Sequence, residues 1–126
     1  MPSIAKFRGT VVSGEGVAGT VYDLPTANLY LDQELSDVID PGVYAAYVYY
    51  AENEYEAVAY QDESKKFEVH LFDFEGDLVG KVLKVKLLRK VSEYIPWISV
   101  DRMRQKIQHD VELVLGYFEV NTKNEP

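Results

Sequence analysis

Thr26 and Asn28 stand two residues apart, directly after Pro25, in the segment Pro25-Thr26-Ala27-Asn28. Proline sets the approach of the chain, and in a strand a spacing of two sends both side chains to one face. A hydroxyl beside an amide carbonyl offers hard oxygen donors, the kind that hold Mg²⁺ while leaving it several waters. The same pair could instead close a turn through local side-chain to backbone bonds. Glu68 sits inside the apolar run Phe67-Glu68-Val69-His70-Leu71. A carboxylate among apolar neighbours can have a raised pKa and take a proton as a general base. It can equally be a structural partner for a lysine. His70 shares the face of Glu68 and, read alone, is a packing or hydrogen-bonding residue.

Three further features could meet a ligand. Gly14, Gly16 and Gly19 lie in one loop, where absent Cβ atoms let backbone N–H groups turn toward an anion. That spacing matches neither the Walker pattern nor the dinucleotide fingerprint, so an ordinary loop between strands stays open. Arg89, expected just after the last strand, could clamp an anion or stack on a ring, or be merely solvated. Tyr94 and Trp97 follow it and could sandwich a flat heterocycle or seat a helix. Lys84 and Lys86 read as a solvated strand face.

Positioning these residues falls to an element pattern that is mostly β. Strands are expected at Ala5–Ser13, Thr26–Leu31, Gly42–Tyr50, Tyr55–Tyr60, Phe67–Phe74 and Val82–Leu88. Asp32–Asp40 reads as a polar stretch ending at the Pro41-Gly42 turn. Phe67, Val69 and Leu71 alternate with Glu68, His70 and Phe72, the period of two of a half-buried strand. After Ser99 the period changes. Val100, Met103, Ile107, Val111, Val114, Leu115 and Phe118 recur at threes and fours, which predicts one helix. Ser99 suits its N-cap and Asp101 the positive end of its dipole. Short antiparallel strands followed by one helix close most easily into an all-β barrel or sandwich with the helix laid against it.

Composition narrows the function. The chain has 126 residues, the size of one domain, with 13 basic and 21 acidic side chains for a formal charge of −8. That balance argues against nucleic acid or an anionic membrane as the main partner. Cysteine is absent and histidine occurs twice, which excludes disulfides, thiolate nucleophiles and cysteine metal sites and disfavours a histidine-rich one. Ten tyrosines fit pleated, half-buried surfaces. No apolar run approaches the roughly 20 residues of a membrane span, and the first residues carry no apolar signal core. A cytoplasmic monomer is the expectation.

In this order the pieces resemble the riboflavin kinase family, a small barrel module that stands alone in eukaryotes and forms the C-terminal half of the bifunctional bacterial enzyme that makes FMN and FAD. The matching segments are FRGTVVSGEGVAG, LPTANL, PGVYAAYV, FEVHLFDFEGDLVGKVLKVKLLRK and SVDRMRQKIQHDVE, from Phe7 to Glu112. PTAN before a strand is the most specific. The resemblance implies a six-stranded antiparallel Greek-key β-barrel with a C-terminal α-helix over residues 1–120 and a flexible tail at 121–126. It implies transfer of the ATP γ-phosphoryl group to the riboflavin 5′-hydroxyl. Thr26 and Asn28 would hold Mg²⁺ and the nucleotide phosphates, and Glu68 would accept the proton of the attacking hydroxyl. Arg89 would flank the flavin, and Gly14, Gly16 and Gly19 would cover the nucleotide.

The chain departs from that family at the lips of the site. EGVAGTVYDLPTAN lacks the basic residue expected before PTAN, while Glu15 and Asp23 add negative charge. One misplaced charge at ~8 Å costs on the order of 2 kcal/mol at an effective dielectric of ~20, before screening. QDESKK is short between the fourth and fifth strands, Val79 stands where the family has an aromatic, and Trp97 stands where it tends to have Phe. A second reading therefore stays open: a kinase-like barrel that binds a flavin, a nucleotide or a protein without turnover.

Overall fold

The structure, a computed structural model, describes residues 4–13, 25–96 and 98–123. In chain order the elements are β1 (Ala5–Val12), β2 (Ala27–Tyr30), α1 (Gln33–Val38), β3 (Gly42–Tyr50), β4 (Asn53–Gln61), β5 (Phe67–Leu71), β6 (Val82–Ser92) and α2 (Val100–Lys123). The strands form a closed antiparallel barrel in the order β1-β2-β5-β4-β3-β6, with β6 returning to β1. Consecutive β3, β4 and β5 pair in sequence, and β6 returns to lie beside β3, the Greek-key arrangement.

Alternation drives closure. Phe67, Val69 and Leu71 point into the barrel together with Phe7, Val11, Leu29, Tyr44, Ala46, Val48, Ala57, Ala59, Leu83, Val85 and Leu87. Phe7 and Phe67 meet edge to face at its centre, ring centroids 5.2 Å apart. Their neighbours on the same strands point outward, and some of the outward apolar ones lie under α2 while Val12, Tyr30 and Val82 are exposed. There Val43, Ala45, Val58 and Leu88 form a second core with Val114 and Phe118. Ser99 caps α2, its Oγ accepting from Arg102 N at 3.2 Å. Of the predicted helical stripe, Val100 and Leu115 face solvent.

Four boundaries differ from the sequence expectation. β6 runs on to Ser92, past Leu88, because two register shifts against β3, at Val43/Tyr44 and at Ala45/Ala46, let it continue while its alternation breaks. Arg89 consequently lies inside the strand, opposite Ala45, and not after it. β5 ends at Leu71, since Asp73 turns the chain with φ 59°. Gln33–Val38, read as a polar stretch, is the short helix α1, started by Asp32 Oδ1 accepting from Leu35 N at 2.8 Å. The last helix extends through Lys123, so the first part of the expected tail is helical.

Candidate active site

β2, β5 and β4 lie side by side, and their registers put Asn28 opposite Glu68 and Glu68 opposite Tyr60. The three side chains therefore occupy one rung on the outer face of the barrel, in the order Asn28, Glu68, Tyr60. Opposed side chains on one face stand about 4.5–5.5 Å apart at Cβ. Thr26 precedes β2 on the same face as Asn28.

This rung is buried, and its polar atoms lack partners among the described residues. Asn28 and Glu68 are 5% and 8% exposed. Thr26 Oγ1, both side-chain polar atoms of Asn28, Glu68 Oε1 and Tyr60 Oη are buried without a hydrogen-bond partner among the described residues. Buried polar groups in folded proteins are nearly always paired. A set of them on adjacent strands, left open together, is the signature of a site that expects a ligand.

Two hollows flank the rung. One, of about 340 Å³, is lined by Thr26 and Asn28, by His70, and by the turn carrying Glu75, Asp77 and Val79. The other, of about 140 Å³, opens between the barrel and α2. It is lined by Glu68, Tyr60, Tyr94, Met103 and Ile107, with Lys106 and Asp110 at its edge. Asn28 lines the first hollow and Glu68 the second, and the two residues are direct cross-strand partners.

Electrostatics separate the two hollows. Burial pushes the Glu68 carboxyl above its ordinary value. Lys66 pulls it down, Asp62 adds to the rise, and the nearby Thr26 hydroxyl pulls it down again. Burial lowers His70, offset by its bond to the Pro25 carbonyl. Burial, then the charges of Asp110 and Glu68, raise the Tyr60 hydroxyl. In the first hollow Glu75 and Asp77 face the space, and no lysine or arginine lines it among the described residues. A polyphosphate there would depend on cations for neutralisation.

Thr26 Oγ1 and Asn28 Oδ1 fit Mg²⁺, being hard, buried and unpartnered oxygens with room beside them for water and phosphate oxygens. Among the described residues no cluster of three or more His, Cys, Asp or Glu could hold a metal.

Of the sequence candidates, Thr26, Asn28 and Glu68 come together. Arg89 does not join them. It is exposed, and it lines a separate groove with Tyr117 and Asn121 on the far part of α2. Tyr94 lines the hollow beside Glu68. Gly14, Gly16, Gly19 and Trp97 lie outside the described residues. Two features escaped the sequence reading. Tyr60 was visible only as one residue of a strand. Lys106, half-buried, and Asp110, buried, four apart on α2, pair at 2.6 Å, and Lys106 Nζ also donates to Ser92 Oγ. The i,i+4 spacing of the opposite charges was the available signal for it.

The comparisons agree with this architecture. The Crystal Structure of Macrolide-efflux Protein from Streptococcus pneumoniae superposes with a TM-score of 0.69 and 28% identity, covering 86% of this chain and 36% of that one. The crystal structure of riboflavin kinase from Trypanosoma brucei superposes with a TM-score of 0.65 at 20% identity, covering 90% of this chain and 76% of that one. The fold is thus that of a small Greek-key barrel already seen in a kinase of small molecules. A family model described as Flavokinase, riboflavin kinase, matches residues 1–118, and the chain belongs to that family.

Among curated relatives, the bifunctional riboflavin kinase/FMN adenylyltransferase of Haemophilus influenzae is 30% identical over 118 residues, covering 87% of this chain and 37% of that protein. The trifunctional protein RibF/MnmA of Mycoplasmoides gallisepticum is 27% identical over 123 residues, covering 92% of this chain and 18% of that protein. The chain spans two-fifths or less of the length of the curated relatives it matches.

Proposed function

We propose that this chain is a riboflavin kinase module, transferring the γ-phosphoryl group of ATP to the 5′-hydroxyl of riboflavin to give FMN and ADP. The observation that carries the reading is the Asn28–Glu68 pair, buried, with polar atoms unpartnered among the described residues, and standing between two hollows. The triphosphate takes the hollow at Thr26 and Asn28, and the flavin takes the hollow between barrel and α2. Val43, Ile95, Met103 and Ile107 give that second hollow the apolar lining a ring system needs.

Phosphoryl transfer asks a protein mainly for positioning and for neutralisation of charge. Thr26 and Asn28 would hold Mg²⁺, which when bound draws charge from the phosphate oxygens. Glu68 orients the 5′-hydroxyl and takes its proton as the new O–P bond forms and the bond to the ADP oxygen breaks. A carboxyl raised by burial is a stronger base than a solvated one. Arg89 lies inside β6 and lines the groove on α2, away from this rung, so the turnover roles belong to Thr26, Asn28 and Glu68.

The net charge of −8 supports action on small molecules without nucleic acid or an anionic membrane. A barrel with every strand paired on both sides offers no strand edge for self-association and supports a monomer. A chain free of cysteine suits the reducing cytoplasm. No helix among the described residues is long and apolar enough to cross a membrane.

The test is incubation with riboflavin, ATP and Mg²⁺ followed by chromatography for FMN. Product dependent on all three supports the kinase. Quenching of riboflavin fluorescence with no FMN formed would identify a binding barrel without turnover.

A further inference from the structure

Three polar groups on the helix side of Glu68 take no part in the steps above: Tyr60, Lys106 and Asp110. Lys106 and Asp110 satisfy one another, Nζ lying 2.7 Å and 2.6 Å from the two carboxylate oxygens and 2.7 Å from Ser92 Oγ. Tyr60 Oη is different. It is buried, it has no hydrogen-bond partner among the described residues, and it lines the hollow that holds Glu68. A buried tyrosine hydroxyl usually finds a partner, and without one it costs the fold more than a phenylalanine would.

Its place on the rung says what that partner is. Asn28 flanks Glu68 on the side of the triphosphate hollow, and Tyr60 flanks it on the other. An acceptor whose terminal alcohol reaches Glu68 must carry the rest of its chain past Tyr60. Resting on the kinase reading, we infer that Tyr60 Oη binds the sugar-alcohol chain of the acceptor, through a hydroxyl close to the reacting one. Tyr60 thereby selects flavins that carry a polyol chain over the bare ring. Burial and the neighbouring carboxylates keep the tyrosine proton in place, so the group can donate as well as accept.

The experiment is fluorescence titration of the full chain, wild type and Tyr60→Phe, with riboflavin and with lumiflavin, which has the same ring without the polyol, alongside thermal melts. The expected result is a riboflavin Kd raised about tenfold, an unchanged lumiflavin Kd, and a melting temperature equal to or above that of the wild type. Equal weakening toward both flavins, or weakening toward neither, overturns the assignment of Tyr60 while leaving the kinase reading intact. A wild-type chain that binds neither flavin overturns both.

Discussion

His70 Nδ1 lies 2.5 Å from the carbonyl oxygen of Pro25, a residue 45 positions earlier in the chain. A carbonyl only accepts, so in the neutral ring the proton sits on Nδ1. The histidine thereby pins the residue that precedes Thr26, and Phe72 packs edge-on against its ring at 5.3 Å. His70 is best understood as the clasp that holds the PTAN turn against β5.

Replacing His70 with alanine should therefore raise KM for Mg·ATP several-fold, the loss of one hydrogen bond of about 1 kcal/mol, and leave riboflavin affinity alone. The pH dependence carries a sign. A histidine whose folded pKa is depressed stabilises the fold above its unfolded value of 6.5 and loses that contribution as pH falls. Melts of wild type and His70→Ala from pH 8 to pH 5 should converge toward the acid end. Curves that stay parallel would remove this account.

Glu68→Gln should separate stability from turnover. Its folded pKa is raised above 4.5, so its favourable contribution exists at low pH and is lost as pH rises through the folded value. At pH 7 the variant should melt higher than wild type, with the gap closing below pH 4.5. Turnover should fall at least about 100-fold, with riboflavin binding within a few-fold. Near-normal FMN production by this variant would strip Glu68 of the base role.

Thr26→Ala and Asn28→Ala should each raise the Mg²⁺ concentration needed for half-maximal rate, Asn28→Ala without lowering the melting temperature, because its side-chain polar atoms have no hydrogen-bond partner among the described residues. A drop in stability with an unchanged Mg²⁺ requirement would mark them as structural.

The acidic wall of the triphosphate hollow makes a prediction in the opposite direction. Glu75 is exposed and faces that space. Glu75→Lys, a change of two charge units, should lower KM for ATP at least several-fold and flatten the Mg²⁺ dependence, since each unit at ~8 Å is worth on the order of 2 kcal/mol before screening. Raising ionic strength should shrink the difference, and a gain that salt does not touch would contradict its electrostatic origin.

Lys106→Met should destabilise the chain by about 3 kcal/mol, because Asp110, 2% exposed, would be left charged and unpaired. Lys106→Met/Asp110→Leu should recover most of the loss in urea melts. A double variant no more stable than the single one would show that the pair is not what the melts report.

The barrel was legible because its strands alternate. Phe67-Glu68-Val69-His70-Leu71 declares both faces, and the outward one already contained Glu68. The PTAN segment announced its shared oxygens by a spacing of two. What stayed hidden depends on pairing. Nothing in the order of residues says that Tyr60 stands opposite Glu68, because that relation comes from the β4–β5 register. Arg89 was misplaced for a related reason. The alternation of β6 breaks where both Leu87 and Leu88 are buried, and a period of two cannot see through a bulge. The helix at Gln33–Val38 is too short to show a period, and only Asp32 marked its start.

The single rung of Asn28, Glu68 and Tyr60 also restricts how this chain can change in length. In a pleated strand, inserting or deleting one residue exchanges inside for outside. One extra residue in β5 ahead of Glu68 would turn the carboxylate into the apolar interior and Val69 out to solvent. Gains and losses of residues must therefore be absorbed in the connections, such as Asp62–Lys66, which joins β4 to β5. Trimming or extending that connection should be tolerated where an indel within the strands it joins should not.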